Sequence, residues 1–201
     1  MSVRFVLKNI MRFEIKREIK IWMLYFLVIF CSAFLHEIGH CIPAWIYGYK
    51  AIPTPAMEYI SDNIPQDLEQ YIALGGVLVT LILALITILL YTFRNKKTST
   101  TILAGVLAIP AIYTLRFLIL GRGHDATEFQ EAQAALGLSY SGHSIDWLFL
   151  SIFIFGVLIW IIKAKPGYRI IGRLLVGAIF TIIFIVALQE INNAVFDPMF
   201  G

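Results

Sequence analysis

Apolar positions along this 201-residue chain gather into five runs, at about 21–49, 71–93, 102–120, 145–162 and 170–188. Each is near the roughly 20 residues that a membrane-crossing helix requires. Prolines, glycines and charges collect between them, a pattern that predicts an all-α polytopic membrane protein of about five transmembrane helices. The first 20 residues follow another rhythm. Arg4, Lys8, Arg12, Lys16 and Lys20 recur every four positions among Val3, Phe5, Val6, Ile10, Phe13 and Ile15. That spacing predicts an amphipathic helix lying on the cytoplasmic leaflet, and it also suits a solvated basic arm that only fixes orientation.

Two connections carry structure of their own. Pro53, Pro55 and Pro65 exclude one continuous helix across 51–70 and suit a segment that covers or gates something. In 121–144, Asp125-Ala-Thr-Glu128 reads as a capping box. Phe129, Ala132 and Leu136 then share a helical face, and Gly137 is the stop. There is no internal repeat, so the chain divides into a basic arm, 1–20, and one transmembrane domain, 21–201. The first run follows a long charged arm and precedes no small-residue cleavage site, so it is expected to stay in the mature protein.

Composition agrees with lipid as the solvent: 59% of residues are hydrophobic, 14% are charged, and the mean hydropathy is +0.81. The net charge of +3 says less than its arrangement, and no nucleic-acid partner is expected. Arg4, Lys8, Arg12, Lys16, Arg17 and Lys20 precede the first run. Arg94, Lys96 and Lys97 follow the second, and Lys163, Lys165, Arg169 and Arg173 follow the fourth. Acidic residues occupy the alternate places: Glu58, Asp62, Asp67 and Glu69, then Asp125, Glu128 and Glu131, then Glu190 and Asp197. Five spans with a cytoplasmic N-terminus give this alternation; four or six do not. Cys31 and Cys41 share a span about 15 Å apart along its axis, too far to bridge, and read as small buried hydrophobes.

The chemistry lies in the first run, where His36-Glu37-Ile38-Gly39-His40 sits on an apolar helix. Residues four apart share a helical face, so the two imidazoles can hold one zinc ion with Glu37 beside it as general base. Ionisable groups at membrane depth are costly and mark function. From residue 21 the motif lies roughly 22 Å into a core about 30 Å thick, toward the outer leaflet, and Pro43 is expected to disrupt the helix just beyond it.

Zinc needs a third protein ligand. The third run travels in the same direction as the first, so His124 and Asp125 emerge at the motif's depth. The choice between them stays open, because Asp125 has a local task as a cap and His124 has none; His143 lies on the same side. Arg116, about two turns before His124, suits either the substrate or oxyanion or a structural, snorkelling role. Gln189, Glu190, Asn192 and Asn193 suit either contacts to a substrate backbone or an ordinary polar helix end.

Phe34-Leu35-His36-Glu37-Ile38-Gly39-His40 resembles the motif of the site-2 protease family of intramembrane zinc metalloproteases, down to the small residue before the second histidine. The resemblance implies that His36 and His40 are zinc ligands and Glu37 the catalytic base. It also implies a third ligand from a later span within a Leu-Asp-Gly or related motif. The nearest match is Asp125 in Gly123-His124-Asp125-Ala126, without the following glycine. Leu74-Gly75-Gly76-Val77-Leu78-Val79-Thr80 is similar to the family's glycine-rich stretch, with Thr80 in place of its Asn as a polar group for substrate or oxyanion. In better-known members the metal lies nearer the cytoplasm, whereas the charges here put it nearer the outside.

These readings describe a minimal, divergent intramembrane endopeptidase. One zinc ion activates a water, Glu37 moves its proton, and the substrate is a transmembrane protein within the lipid bilayer. Two other classes fit the same residues: a metal-transporting or zinc-binding membrane protein without hydrolysis, and an inactive relative that binds membrane helices.

Overall fold

The computed structural model describes residues 3–61, 64–93, 97–121, 123, 127–164 and 168–200, with side chains omitted at 3–14, 97–98 and 168–175. Asp62, Arg94, Lys96 and Lys165, used above to read the loops, lie outside the described residues. The chain is all-α apart from one small hairpin. Helix α1 (Val3–Ile46) is followed by β1 (Ala51–Pro53) and β2 (Glu58–Ile60), then α2 (Gln66–Phe93), α3 (Lys97–Val106) and α4 (Ala108–Leu120). After these come α5 (Glu128–Ala135), α6 (Ser144–Ala164), α7 (Tyr168–Ile191), a π-helical turn at Asn192–Phe196 and α8 (Asp197–Phe200). Among the described residues four helices are long and apolar enough to cross a membrane, and α3 with α4 makes a fifth if that bent pair counts as one span. The chain is thus built as a multi-pass membrane protein.

Three departures from the expected elements have local causes. The basic arm and the first span form one unbroken helix, which continues past Pro43 to Ile46. Pro43 has no N–H for the carbonyl four residues back, that of Gly39. This carbonyl turns instead toward α2, so close that a Cβ on Gly75 would collide with it. The third span bends by 40° between α3 and α4. Pro110 causes this, because it cannot donate to the carbonyl of Val106 and its ring crowds that turn. The proline-rich connection folds as an antiparallel hairpin pairing Ala51 with Ile60, Ile52 with Tyr59 and Pro53 with Glu58.

The core is where α2 to α6 meet. Ala73, Val77, Leu81, Ala84 and Ile88 of α2 pack against Leu103, Ile109, Tyr113, Phe129, Phe149 and Ile152. The opposite face of α2, with Ile82, Leu85, Ile86 and Leu89, stays exposed, as lipid permits. At one end Lys163 caps α2 by donating from Nζ to the carbonyls of Tyr91 and Thr92. The hairpin, α5 and the end of α7 gather at the other end, around the cavity described next.

Candidate metal centre

His36 and His40 are one turn apart on α1, each 4% exposed, with ring centroids 4.6 Å apart and planes nearly perpendicular. What aims them is the backbone of α2. His40 Nδ1 donates to the carbonyl of Ile72 at 2.8 Å, and His36 Nδ1 to that of Gly76 at 2.9 Å, with Thr80 Oγ1 also at 2.9 Å. Carbonyls only accept, so in the neutral imidazoles the proton sits on Nδ1 and Nε2 offers its lone pair. Those two atoms face each other at 3.1 Å. Gly76 makes this possible, since a Cβ there would occupy the space of the His40 ring.

The third group is Glu128, the first residue of α5, whose Oε1 lies 3.6 Å from both Nε2 atoms. A tetrahedral zinc site with bonds of about 2.0–2.1 Å spaces neighbouring ligand atoms about 3.3 Å apart. The two imidazoles and the carboxylate therefore fit a zinc ion in spacing and in donor type. The arrangement also calls for a cation, because three lone pairs converge in a buried place. The rings are oriented from behind by carbonyls, as metal-bound histidines usually are.

The capping-box reading of Glu128 needs correction. Thr127 is the N-cap and makes no side-chain cap bond, while the Glu128 carboxylate turns to the histidines. An aromatic cluster holds this turn in place: Phe129 stacks on Phe149 at 5.2 Å, and Tyr113 meets both edge-on. The approach to α5 is pinned by Gly123, whose N–H donates to Asp146 Oδ1 at 2.7 Å, where a Cβ would strike the same oxygen.

Glu37 is buried beside the cluster, and its carboxylate, the His40 ring and the Glu58 carboxylate of β2 have ligand-capable atoms within 4.8 Å of one another. All of these line one cavity of about 790 Å³, walled also by Arg116 of α4, Glu131 of α5, Glu69 of α2 and Ile185, Leu188 and Gln189 of α7. Burial pushes the Glu131 carboxyl above its usual range, and the nearby charges of Glu69 and Glu128 push it the same way.

The structure brings His36, Glu37, His40 and Arg116 to one cavity. His124 and Asp125 lie outside the described residues. Thr80 contacts the His36 ring and is not among the residues lining the cavity. His143 stands apart, pairing with Asp146 Oδ2 at 3.1 Å. Of the polar residues ending α7, Gln189 lines the cavity, Asn192 is buried against the hairpin, and Glu190 and Asn193 are exposed. Sequence reasoning missed Glu128 and Glu58 as members of the site. For Glu128 a signal existed: it lies three residues beyond Asp125 in the sequence.

No protein-family model matches the chain, and no solved structure matches it. Over 107 residues it is 29% identical to a protein of Methanocaldococcus jannaschii named a zinc metalloprotease, a match covering 51% of this chain and 29% of that protein. The chain thus spans under a third of that relative's length.

Proposed function

We propose that this chain is an intramembrane zinc endopeptidase of the site-2 type, in which His36, His40 and Glu128 hold the ion and Glu37 is the general base. The observation that carries this is the convergence of two Nε2 atoms and a carboxylate oxygen within 3.6 Å, with Glu37 at their side, in a cavity walled by helices long and apolar enough to cross a membrane. Zinc bound there polarises a peptide carbonyl and makes water acidic near neutral pH. Glu37 accepts the proton of the attacking water and delivers it to the departing amine. The Glu37 carboxylate is buried beside His40 and Glu58, which limits the bulk water that could compete for that proton.

The substrate is a membrane-embedded segment of another protein. Its carbonyls are bonded within its own helix, so it unwinds locally before one reaches Glu37. Arg116 adds positive charge on the α4 wall, which favours the developing oxyanion. By the alternation of loop charges, the N-terminus is cytoplasmic and the site lies toward the outer leaflet.

The test is Glu37→Gln, compared with wild type in proteoliposomes holding a panel of single-span membrane proteins. The expected result is full zinc content with fragment release lowered by at least about 100-fold, the range for loss of a general base. Cleavage that persists in the variant sinks the proposal. So does wild-type protein that holds zinc and moves it across the bilayer without cutting anything, since a transporter needs no base.

A further inference from the structure

The cavity contains a carboxylate that neither the ligand set nor the base accounts for. Glu58 is carried on the hairpin, outside the helical frame, and its side chain reaches within 4.8 Å of ligand-capable atoms of both Glu37 and His40. It lines the cavity together with Pro55, Ala56 and Met57 of the hairpin loop. Its carboxylate therefore stands on the cavity wall beside both the proposed base and a proposed metal ligand.

The hairpin is fastened on two sides by different means. Toward α1 and α2 it is held largely by packing: Trp45 Nε1 donates to the Ala51 carbonyl at 2.9 Å, and Ala51 and Ile60 pack on Ala44, Leu68 and Ile72. Toward the last span it is held through Asn192 and through Tyr59, whose ring also meets that of Phe200 at 5.8 Å. Asn192, 1% exposed, hydrogen-bonds through Oδ1 with the Thr54 hydroxyl and donates from Nδ2 to Tyr59 Oη at 2.8 Å. The Tyr59 hydroxyl in turn donates to Asp197. Thr54 follows β1 and Tyr59 lies in β2 beside Glu58, so a single side chain holds both arms of the hairpin next to Glu58. Asn192 also opens the π-helical turn, a local widening of the helix often found at functional positions.

We propose that the hairpin is a lid whose Glu58 closes the metal cavity, and that Asn192 of the last span is the latch holding it shut. Movement of α7 at this end releases Thr54 and Tyr59 together, withdraws Glu58 and opens the cavity on the side of α7. What the lid protects rests on the zinc-peptidase reading; the latch itself does not, and it is tested separately.

The experiment uses the full chain carrying Cys31→Ala and a reporter, Met57→Cys, purified in detergent and treated with a small water-soluble maleimide, with labelling at position 57 read by peptide mass. Against this parent, Asn192→Ala is expected to speed labelling at least tenfold and Tyr59→Phe at least threefold. In proteins without the reporter, the same substitutions speed zinc loss to EDTA by similar factors. Glu58→Ala speeds zinc loss without speeding labelling at 57. Labelling within twofold of the parent in a folded Asn192→Ala protein overturns the latch. If that variant does not fold, Tyr59→Phe, which removes one oxygen, decides alone by the same criterion. A protein that binds no zinc would defeat the peptidase reading and leave the labelling result standing.

Discussion

The α1–α2 pair and the last span wall the same cavity, but they are held to the rest of the protein in opposite ways. α1 and α2 approach through backbone: Gly39 against Gly75, and the carbonyls of Ile72 and Gly76 gripping two imidazoles. Among the described residues, α7 and the turn that follows it touch the rest through side chains. At one place Trp22 and Phe26 of α1 meet Phe180 and Phe184, and Tyr25 donates to Thr181 at 2.7 Å. At another is the Asn192 clasp. Metal ligands need positions fixed to a few tenths of an ångström, which backbone contact supplies. A wall through which a substrate enters needs attachments that come apart singly.

The contrast is broken most severely at Gly76. Any Cβ there meets the His40 ring, so Gly76→Val is expected to abolish zinc binding and to cost about 1–3 kcal/mol of stability through overpacking. Bound metal and a melting curve measured on one sample check both. A smaller effect is expected at Thr80, which backs the His36 ring beside the Gly76 carbonyl. Thr80→Val leaves that carbonyl in place, so zinc affinity is expected to fall by about tenfold, the low end for loss of a group behind a ligand. Competition with a chelator of known affinity measures it. The smallest belongs to α7. Thr181→Val removes the hydroxyl that Tyr25 bonds, worth roughly 0.6 kcal/mol between membrane helices. Zinc content is expected to be unchanged while hydrogen exchange along α7 increases; equal exchange would mean that α7 is held as firmly as α2.

Much of this was legible along the chain. Apolar runs long enough to cross lipid revealed the helices, because a span must satisfy its own backbone whatever its neighbours do. His36, Glu37 and His40 were legible for the same reason, since their juxtaposition is a property of one helix. Residues placed by long-range packing were harder to see. Glu128 reaches the histidines because Phe129 docks on Phe149 and Tyr113, and locally it passed for a capping partner. Glu58 arrives on strands too short to give a period, among prolines that argue against helix and for nothing in particular. The break at Leu107 was marked by Pro110, but the unbroken apolar run around it concealed the bend. Pro43 misled in the other direction, because the sequence shows the lost hydrogen bond and not the Gly75 backbone that covers the freed carbonyl.

The central claim is that His36, His40 and Glu128 share one zinc ion. Its most direct measurement is the metal content of purified wild type beside His36→Ala, His40→Ala and Glu128→Ala, with Asp125→Ala and His124→Ala in parallel. The expected result is one zinc per wild-type chain, almost none in either histidine variant, a clear loss in Glu128→Ala, and retention in the last two. Full zinc in Glu128→Ala with loss in Asp125→Ala or His124→Ala would contradict the third ligand, and full zinc in His40→Ala would contradict the site itself.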